Sequence, residues 1–492
     1  MQNGTLLAAV DLGSNSFRLE IGRFEHGHIH RVEYLKETVR QGNGLDENRN
    51  LTPEAMERGW ACLARFGERL AGFPKEHVRA VATQTLREAR NREEFLRRGS
   101  EVLGYPIDVV SGVEEARLIY QGVARLLPQS DERRLVVDIG GRSTELILGQ
   151  QFAPQSVASF RVGSVAWSSR YFPDGAFTPQ AFLAAEIAAK AVLDEALTVF
   201  RRDAWEIAYG SSGTAGAVGD VLHALGGTKG LITRSGLEAL KDKLLRAQSA
   251  DRIRMEGLKE DRRAVIGGGI SVLRAVFDLL EIDEMHVAQG ALRQGALYDL
   301  LDREQPETDL RTSTVHALMQ RFAVDSAHAE RVSHTACTLF HQAAGPDSER
   351  AARKLEWAAK LHEVGCRISH SDYHRHGAYI LDNTDAAGFA LPELHRLSIL
   401  VLGQRGKVRK LEADLSDATF ALQLLCLRLA VALCHARRSP DISAMHLRRD
   451  QRTFRLNTPT DWAKTFPQSA HLLQEEVSAW QKTPWELVWQ AD

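Results

Sequence analysis

The chain contains an internal repeat that limits the folds open to it. Residues 9–22, AVDLGSNSFRLEIG, align with residues 136–149, VVDIGGRSTELILG. In both segments an apolar, β-rich run ends at an Asp, turns through small residues and continues as a second run of β character. This pattern predicts two β-hairpins with tight polar tips, and hence two similar lobes that face each other.

The segments around each hairpin predict a mixed α/β fold for both lobes, because helical and strand-like patterns alternate. The first lobe is assigned to residues 1–123, with helices at 51–71 and 92–103 and a strand-like run at 77–82. The second is assigned to residues 124–302, with a helix at 179–200, a strand at 206–209 and a glycine-rich loop at 210–214.

The remainder of the chain predicts a different architecture. A polar, proline-containing linker at 302–309 leads to a helical domain at 310–440, where segments 351–362 and 418–435 carry apolar residues at helical spacing. A small C-terminal domain, residues 441–492, is expected after it. The fold class is therefore α/β with an all-α domain attached.

Composition excludes several functional classes. With 492 residues, 44% hydrophobic and 26% charged, the chain is long enough for several domains and has no stretch that predicts a membrane span or disorder. Its five cysteines are scattered without a CxxC pair, which favours a reducing cytoplasm. A net charge of −2 argues against a nucleic-acid partner.

The hairpin tips suggest chemistry on phosphate. Asp11 and Asp138 each end a strand and are followed by Gly and Ser residues, so backbone N–H groups can bind phosphate while the carboxylate binds a metal ion. One such turn could be an ordinary polar turn, but two matching copies favour a site. The loop at 210–216 adds a third candidate phosphate contact. A fourth glycine run, 267–269, fits helix packing at least as well.

Several motifs together resemble the Ppx/GppA family of exopolyphosphatases and guanosine pentaphosphate phosphatases, within the actin, sugar kinase and heat-shock ATPase superfamily. In family order they are DLGSNSFRL (11–19), ATQTLR (82–87), SGVEEAR (111–117), VDIGGRSTE (137–145), GSSGT (210–214) and GALRQG (290–295). LHEVG (361–365) and ISHSDYHRHGAY (368–379) resemble the long exopolyphosphatase form.

The resemblance implies two actin-like (ribonuclease H-like) lobes and a Mg²⁺-dependent exopolyphosphatase that removes terminal phosphate from inorganic polyphosphate processively. The alternative substrate is guanosine pentaphosphate (pppGpp), and a homodimer is expected. A sugar kinase or chaperone-like ATPase of the same superfamily, and a non-enzymatic polyphosphate or alarmone sensor, are the competing hypotheses. The glutamates of SGVEEAR and the helical half favour hydrolysis.

Site residues follow from the matching motif positions. Glu115 is assigned as the base that activates water, with Glu114 as the alternative, and Arg87 as the arginine that faces the phosphoryl group. The Mg²⁺ ligands are assigned to Asp138 and Glu145, with Asp11 in support. The expected phosphate-binding residues are Gly13, Ser14, Asn15, Ser16, Gly140, Gly141, Arg142, Ser143, Ser211, Ser212, Gly213 and Thr214.

The sequence departs from the family at two places. Arg142 stands where a third glycine is common, and it would be strained if that position needed φ > 0. The helical half resembles the HD phosphohydrolase fold, with His334 and His362-Glu363 as candidate ligands, but no aspartate occurs near Cys434. This predicts a lapsed metal site, or histidines that are simply core residues. An excess of Lys and Arg after residue 393 fits either a solvated face or a track for polyphosphate, and the family resemblance favours the track.

Overall fold

Both copies of the repeat form antiparallel hairpins in the computed structural model of the chain, which describes residues 1–128, 130–303, 309–345 and 348–491. The chain divides into two units, residues 1–309 and 310–492. The predicted linker at 302–309 lies mostly outside the described residues. The predicted fold class, two actin-like α/β lobes followed by a helical region, is confirmed.

The first lobe has a five-stranded sheet in the order β3-β2-β1-β4-β5. Its strands are β1 (Leu6–Leu12), β2 (Phe17–Glu25), β3 (His28–Glu37), β4 (Val78–Ala82) and β5 (Ile107–Val109). Its helices are α1 (Pro53–Leu70), α2 (Gln84–Glu88), α3 (Arg92–Leu103) and α4 (Gly112–Ala124). Helix α1 begins after Thr52, whose hydroxyl accepts a hydrogen bond from the Ala55 N–H.

The second lobe has a six-stranded sheet in the order β10-β11-β9-β6-β7-β8. Its strands are β6 (Arg133–Ile139), β7 (Thr144–Gln150), β8 (Ala153–Phe160), β9 (Ile207–Ser211), β10 (Leu231–Thr233) and β11 (Glu284–Val287). The helices are α5 (Ser164–Tyr171), α6 (Pro179–Leu193), α7 (Ser212–Ala224), α8 (Arg234–Ala247), α9 (Glu260–Arg263), α10 (Ile266–Leu279) and α11 (Leu292–Arg303).

Helix α11 packs on the first lobe, although it follows the last strand of the second. Its Ala296, Leu297 and Leu300 share a buried cluster with Leu7 and Ala9 of β1. It also packs tightly on α4, since a Cβ on Gly295 would lie 1.8 Å from the carbonyl oxygen of Leu118. The two lobes are thus tied together through backbone contact between these helices.

Two local predictions differ from the structure, and for a third segment the structure supports one of the two alternatives. The helix predicted at 179–200 ends at Leu193 and continues as a 3₁₀ turn. The loop predicted at 210–214 is replaced by β9, which runs into α7 with only a left-handed Ser212 at the junction. Glycines 267–269 lie inside α10, where a Cβ on Gly268 would meet the Ser164 carbonyl oxygen at 2.5 Å, so they serve helix packing.

The second unit is a helical bundle completed by a small sheet. The helices are α12 (Leu310–Arg321), α13 (Ser326–Ala343), α14 (Glu349–Lys360), α15 (Tyr373–Asn383), α16 (Leu391–Gly403), α17 (Ala418–Leu433), α18 (Trp462–Thr465) and α19 (Pro467–Trp480). The strands are β12 (His446–Asp450), β13 (Thr453–Thr458) and β14 (Glu486–Ala491). Phe454 and Trp480 belong to the same buried cluster as the α17 leucines, so residues 446–491 share the helical core.

No helix in the described part of the chain is both long enough and apolar enough to cross a bilayer. The five cysteines are all free thiols, and Cys62, Cys426 and Cys434 are buried. Burial raises the pKa of the Cys366 thiol to about 11, so this partly exposed cysteine is a weak nucleophile at neutral pH.

Candidate active site

The two hairpins place different side-chain pairs at equivalent positions. Asp11 lies opposite Arg18 across β1 and β2, and Asp138 lies opposite Glu145 across β6 and β7. Arg18 Nη1 is 3.1 Å from Asp11 Oδ2, so the first pair is neutralised internally. The second pair consists of two carboxylates, which leaves the second hairpin with the unbalanced negative charge.

A cleft of about 370 Å³ lies between the two lobes. Both hairpin tips line it, and a Cβ on Gly141 would lie 3.0 Å from the Ser14 Cβ. Of the residues assigned from the sequence, its lining includes Asp11, Gly13, Ser14, Asn15, Ser16, Glu115, Asp138, Gly140, Gly141, Ser143, Ser212 and Gly213. Most of the assigned site therefore meets in one place. The assigned residues outside this lining are Arg87, Arg142, Glu145, Ser211 and Thr214.

The acidic side chains of the second hairpin have an environment that suits a cation. Ser211 Oγ donates to Asp138, and Ser159 Oγ donates to Glu145 Oε1 at 2.8 Å, while Glu145 Oε2 is buried with no hydrogen-bond partner among the described residues. Burial raises the pKa of Asp138, and burial with repulsion from Glu115 and Asp138 raises that of Glu145 well above its usual value. An orphaned oxygen among buried carboxylates fits a Mg²⁺ ion.

Glu115 is held beside an arginine at the cleft. It lies in the first turn of α4, after the N-cap Ser111, and Arg87 Nη1 donates to its Oε2 at 2.6 Å. Burial raises the pKa of Glu115, while the Arg87 charge opposes that rise. Arg87 also donates to the Val110 carbonyl oxygen and to Gln84, so its guanidinium is fixed before any substrate binds.

Glu114, the alternative base, faces a different environment. Its carboxylate accepts hydrogen bonds from Arg117 at 2.8 and 2.9 Å and is 3.5 Å from Arg79 Nη2. Both arginines also ion-pair with Asp299 of α11. Glu114 is fully buried in this network and is absent from the residues that line the cleft.

Two helices point their N-termini into the cleft. Helices α7 and α5 both begin without a side-chain cap, and their first residues, Ser212 and Ser164, line the cleft. Uncapped N–H groups and the positive end of the helix dipole favour an anion. Ser212 has φ of 65°, a strained conformation for a residue other than glycine, and its hydroxyl donates to the Ile139 carbonyl oxygen.

Sequence reasoning missed the positive charges in this cleft. Its lining includes Arg18, Lys36, Lys259, Arg262 and Arg293. Burial, with a further contribution from the charge of Arg18, lowers the pKa of Arg262. Arg18 and Arg293 were inside quoted motifs, but Lys36, Lys259 and Arg262 come from other segments with no spacing that would have joined them.

Arg142, Ser211 and Thr214, which were assigned to phosphate binding, do not line the cleft, and their side chains have protein partners. Arg142 donates to Glu88 at 2.9 Å and to the Gly42 carbonyl oxygen at 3.2 Å, which links the second lobe to the first. Its φ is not positive, so the predicted strain does not arise. Ser211 donates to Asp138, and Thr214 donates to the Ile139 carbonyl oxygen, so both help to shape the cleft.

One candidate ligand in the helical unit is misplaced. His334 is exposed on α13, while His362 is buried and lies beside Glu363. His328, one and a half turns before His334, is the histidine that approaches this pair. The sequence prediction of His334 is therefore wrong, because positions six apart on a helix face different sides.

Two facing lobes with Asp-Gly hairpin turns define an actin-like protein whose interlobe site contains both carboxylates and cationic side chains. The Ppx/GppA phosphatase family model matches residues 21–304, and that of Ppx/GppA phosphatase domain III matches residues 310–477. The chain belongs to the Ppx/GppA phosphatase family, as its motifs indicated.

Individual relatives agree with this assignment. A guanosine-5'-triphosphate,3'-diphosphate pyrophosphatase of Vibrio atlanticus (strain LGP32) is 38% identical over 488 residues, covering 98% of this chain and 97% of the relative. The crystal structure of an exopolyphosphatase-like protein covers 61% of this chain and 98% of its own, with 27% identity and a TM-score of 0.55. An exopolyphosphatase structure from Cytophaga hutchinsonii has the same TM-score and coverage at 24% identity, which shows the shared fold.

Proposed function

We propose that the chain hydrolyses the terminal phosphoanhydride of guanosine pentaphosphate and releases orthophosphate. The observation that carries this proposal is the similarity along 98% of the chain to a protein named for that nucleotide. Sequence motifs alone favoured polyphosphate, and the full-length similarity shifts the preference to the nucleotide. Five cationic side chains line the cleft, and three of them, Arg18, Lys36 and Arg293, are paired with carboxylates. Lys259 and Arg262 add positive charge that supports a substrate with several phosphate groups.

In this proposal different residues of the cleft bind phosphate, accept the proton of water and bind the metal ion. Backbone N–H groups at the hairpin tips and at the start of α7 bind the terminal phosphate. Glu115 accepts the proton of the attacking water, and Arg87 holds its carboxylate in position. Asp138 and Glu145, supported by Asp11, would hold Mg²⁺. When bound, that ion supplies charge neutralisation at the phosphoryl oxygens.

Inorganic polyphosphate is the second candidate substrate, favoured by a basic cavity in the helical unit. This cavity, of about 1020 Å³, is lined by Arg375, Arg405, Lys407 and Lys410 together with His370 and His374. A long polyanion needs cations beyond a catalytic cleft, because each phosphate contact displaces counterions and adds affinity. In this second proposal the helical unit sets the processivity of polyphosphate hydrolysis.

The test is a phosphate-release assay with Mg²⁺ in which guanosine pentaphosphate, long polyphosphate, tripolyphosphate and ATP are compared as substrates. We expect the highest kcat/KM with guanosine pentaphosphate, at least tenfold above ATP, and no release with excess chelator. A higher kcat/KM with long polyphosphate would make the exopolyphosphatase activity the main one. Release of phosphate from ATP alone would contradict both proposals.

A further inference from the structure

Two histidines and a glutamate meet in the helical unit. His328, His362 and Glu363 each place one ligand atom within 4.8 Å of the other two. His328 lies in the first turn of α13, while His362 and Glu363 follow directly after α14. Imidazole nitrogens with one carboxylate form a ligand set that Zn²⁺ and Co²⁺ accept readily.

His362 is oriented as a ligand. Its Nδ1 lies 2.7 Å from the Ala359 carbonyl oxygen, so this nitrogen carries the proton and donates it, which leaves the Nε2 lone pair free. Metal-bound histidines in proteins are commonly fixed by such a backbone hydrogen bond.

His328 has an unexplained buried nitrogen. Its Nδ1 is buried and has no hydrogen-bond partner among the described residues, while its Nε2 is 4.0 Å from Glu363 Oε1. An unpaired buried polar atom costs about 1–3 kcal/mol, a cost that a bound ion or solvent molecule at this nitrogen would offset. All three side chains line a cavity of about 590 Å³, which has room for a solvent molecule as a fourth ligand.

The guanidinium of Arg437 is a positive charge that would compete with a metal ion for Glu363. Its Nη2 donates to Glu363 Oε1 at 2.7 Å and its Nη1 donates to Asp325 Oδ2 at 2.9 Å. Its backbone has φ of 54°, a left-handed conformation that costs roughly 1–2 kcal/mol for a residue with a side chain. The guanidinium is half exposed and can leave without unpacking the core.

We propose that His328, His362 and Glu363 bind a divalent transition-metal ion, and that this ion competes with Arg437 for Glu363. Three protein ligands and an open position toward the cavity match a Zn²⁺-type site. The proposal concerns the helical unit and does not depend on the substrate of the cleft. It replaces the sequence interpretation of a lapsed site, because His328 supplies the ligand that His334 does not.

The test is a titration of the full-length protein with Co²⁺ in saturating Mg²⁺, followed by the visible absorption of the bound ion. We expect the wild type to bind one Co²⁺ ion, with the visible absorption of Co²⁺ bound to histidine nitrogen atoms. Glu363→Gln and His328→Gln should each weaken this binding at least tenfold. Arg437→Gln should strengthen it at least fivefold, because it removes the competing charge.

The matched control is His334→Gln, which removes an exposed histidine from the same helix and should leave Co²⁺ affinity unchanged. Circular dichroism of each variant excludes loss of folding as the cause of weaker binding. Equal Co²⁺ affinity in the wild type and in folded Glu363→Gln would overturn the metal site. An affinity unchanged or weakened by Arg437→Gln would overturn the competition.

Discussion

Two adjacent glutamates of helix α4 have different roles, one in a buried ion-pair network and one at the cleft. Glu114 and Glu115 are consecutive in α4, and consecutive helical positions point about 100° apart. One carboxylate therefore enters the buried network with Arg79 and Arg117, while the other reaches the cleft. The sequence motif alone left both open as the base, because the register of a helix against its neighbours is a tertiary property.

This difference gives a paired prediction. Glu115→Gln should lower kcat for phosphate release by at least about 100-fold, because the proton acceptor is removed. Its loss of stability should be smaller than that of Glu114→Gln, because Arg87 keeps its hydrogen bonds to Gln84 and to the Val110 carbonyl oxygen. Glu114→Gln should cost about 3–5 kcal/mol of unfolding free energy, because it leaves Asp299 as the remaining carboxylate beside two buried arginines. Phosphate release and urea unfolding of both variants provide the measurements. A fully active Glu115→Gln would exclude this residue as the base.

The pairing of Glu115 with Arg87 predicts a pH effect. Burial raises the pKa of Glu115 and the Arg87 charge lowers it, so Arg87→Gln should raise it further. Because the base acts as a carboxylate, activity is lost as pH falls through this pKa. The acidic limb of the kcat/KM profile should therefore move to higher pH in Arg87→Gln. Arg87→Lys keeps the charge and should move it less, and an identical limb in all three proteins would disprove the coupling.

The carboxylate cluster predicts stabilisation by Mg²⁺. If Asp138 and Glu145 hold the ion, Mg²⁺ at 100 times its Kd should raise the unfolding free energy of the wild type by about 2.7 kcal/mol. Glu145→Gln should be more stable than the wild type without Mg²⁺, because it removes a buried charge, and should lose most of the Mg²⁺ effect. Thermal unfolding with Mg²⁺ or chelator measures both. A Mg²⁺ response that survives in Glu145→Gln would place the ion elsewhere.

At the scale of elements, the sequence predicted those whose signal is local. The hairpins and α3 follow from period-two and helical spacing, and α3 has the predicted ends, 92 and 103. Glycine content misled the prediction of a loop at 210–214, because tertiary packing lets β9 run straight into α7. Lys36 and Arg262 could not be found, since their approach to the cleft depends on how distant segments pack.

The close contact between α4 and α11 leads to a prediction about stability. Gly295→Ala would place a Cβ 1.8 Å from the Leu118 carbonyl oxygen, which cannot move as a side chain can. We expect a loss of at least about 3 kcal/mol of unfolding free energy, from overpacking and separation of the helices. Gly216→Ala in α7 is the control, since its Cβ meets nothing within 4 Å. It should gain up to about 1 kcal/mol, and equal destabilisation of both by urea unfolding would refute the packing argument.

At the scale of the whole molecule, the chain combines a cleft in residues 1–309 with basic surface in residues 310–491. Sequence analysis predicted this division from the change in pattern near residue 302. It also predicted an excess of positive charge, but not the clustering of Arg375, Arg405, Lys407 and Lys410 around one cavity. Charge content is a property of composition, whereas clustering depends on the bundle.

Charge removal at this cavity tests the polyphosphate proposal. A triple variant of Arg405, Lys407 and Lys410 to Gln should bind long polyphosphate more weakly, because phosphate contacts are lost. The slope of log K for binding against log salt concentration should become smaller in magnitude by about 2. Its turnover of guanosine pentaphosphate should not change. The control converts Arg448, Arg449 and Arg452 to Gln, which removes the same charge from an exposed hairpin. If both variants bind long polyphosphate equally, the cavity is not a polyphosphate site.

The position of α11 also affects how the protein is made. The sheet of the first lobe is covered on β1 by a helix that ends at Arg303, nearly 300 residues later. At a synthesis rate of about 5–20 residues per second, the ribosome needs roughly 15–60 s after β1 to synthesise the chain as far as the end of α11. During this interval the apolar face of β1 stays open on the nascent chain. The first lobe therefore completes its fold only after the second has emerged. Until then, the uncovered apolar face of β1 is a surface that a chaperone would bind.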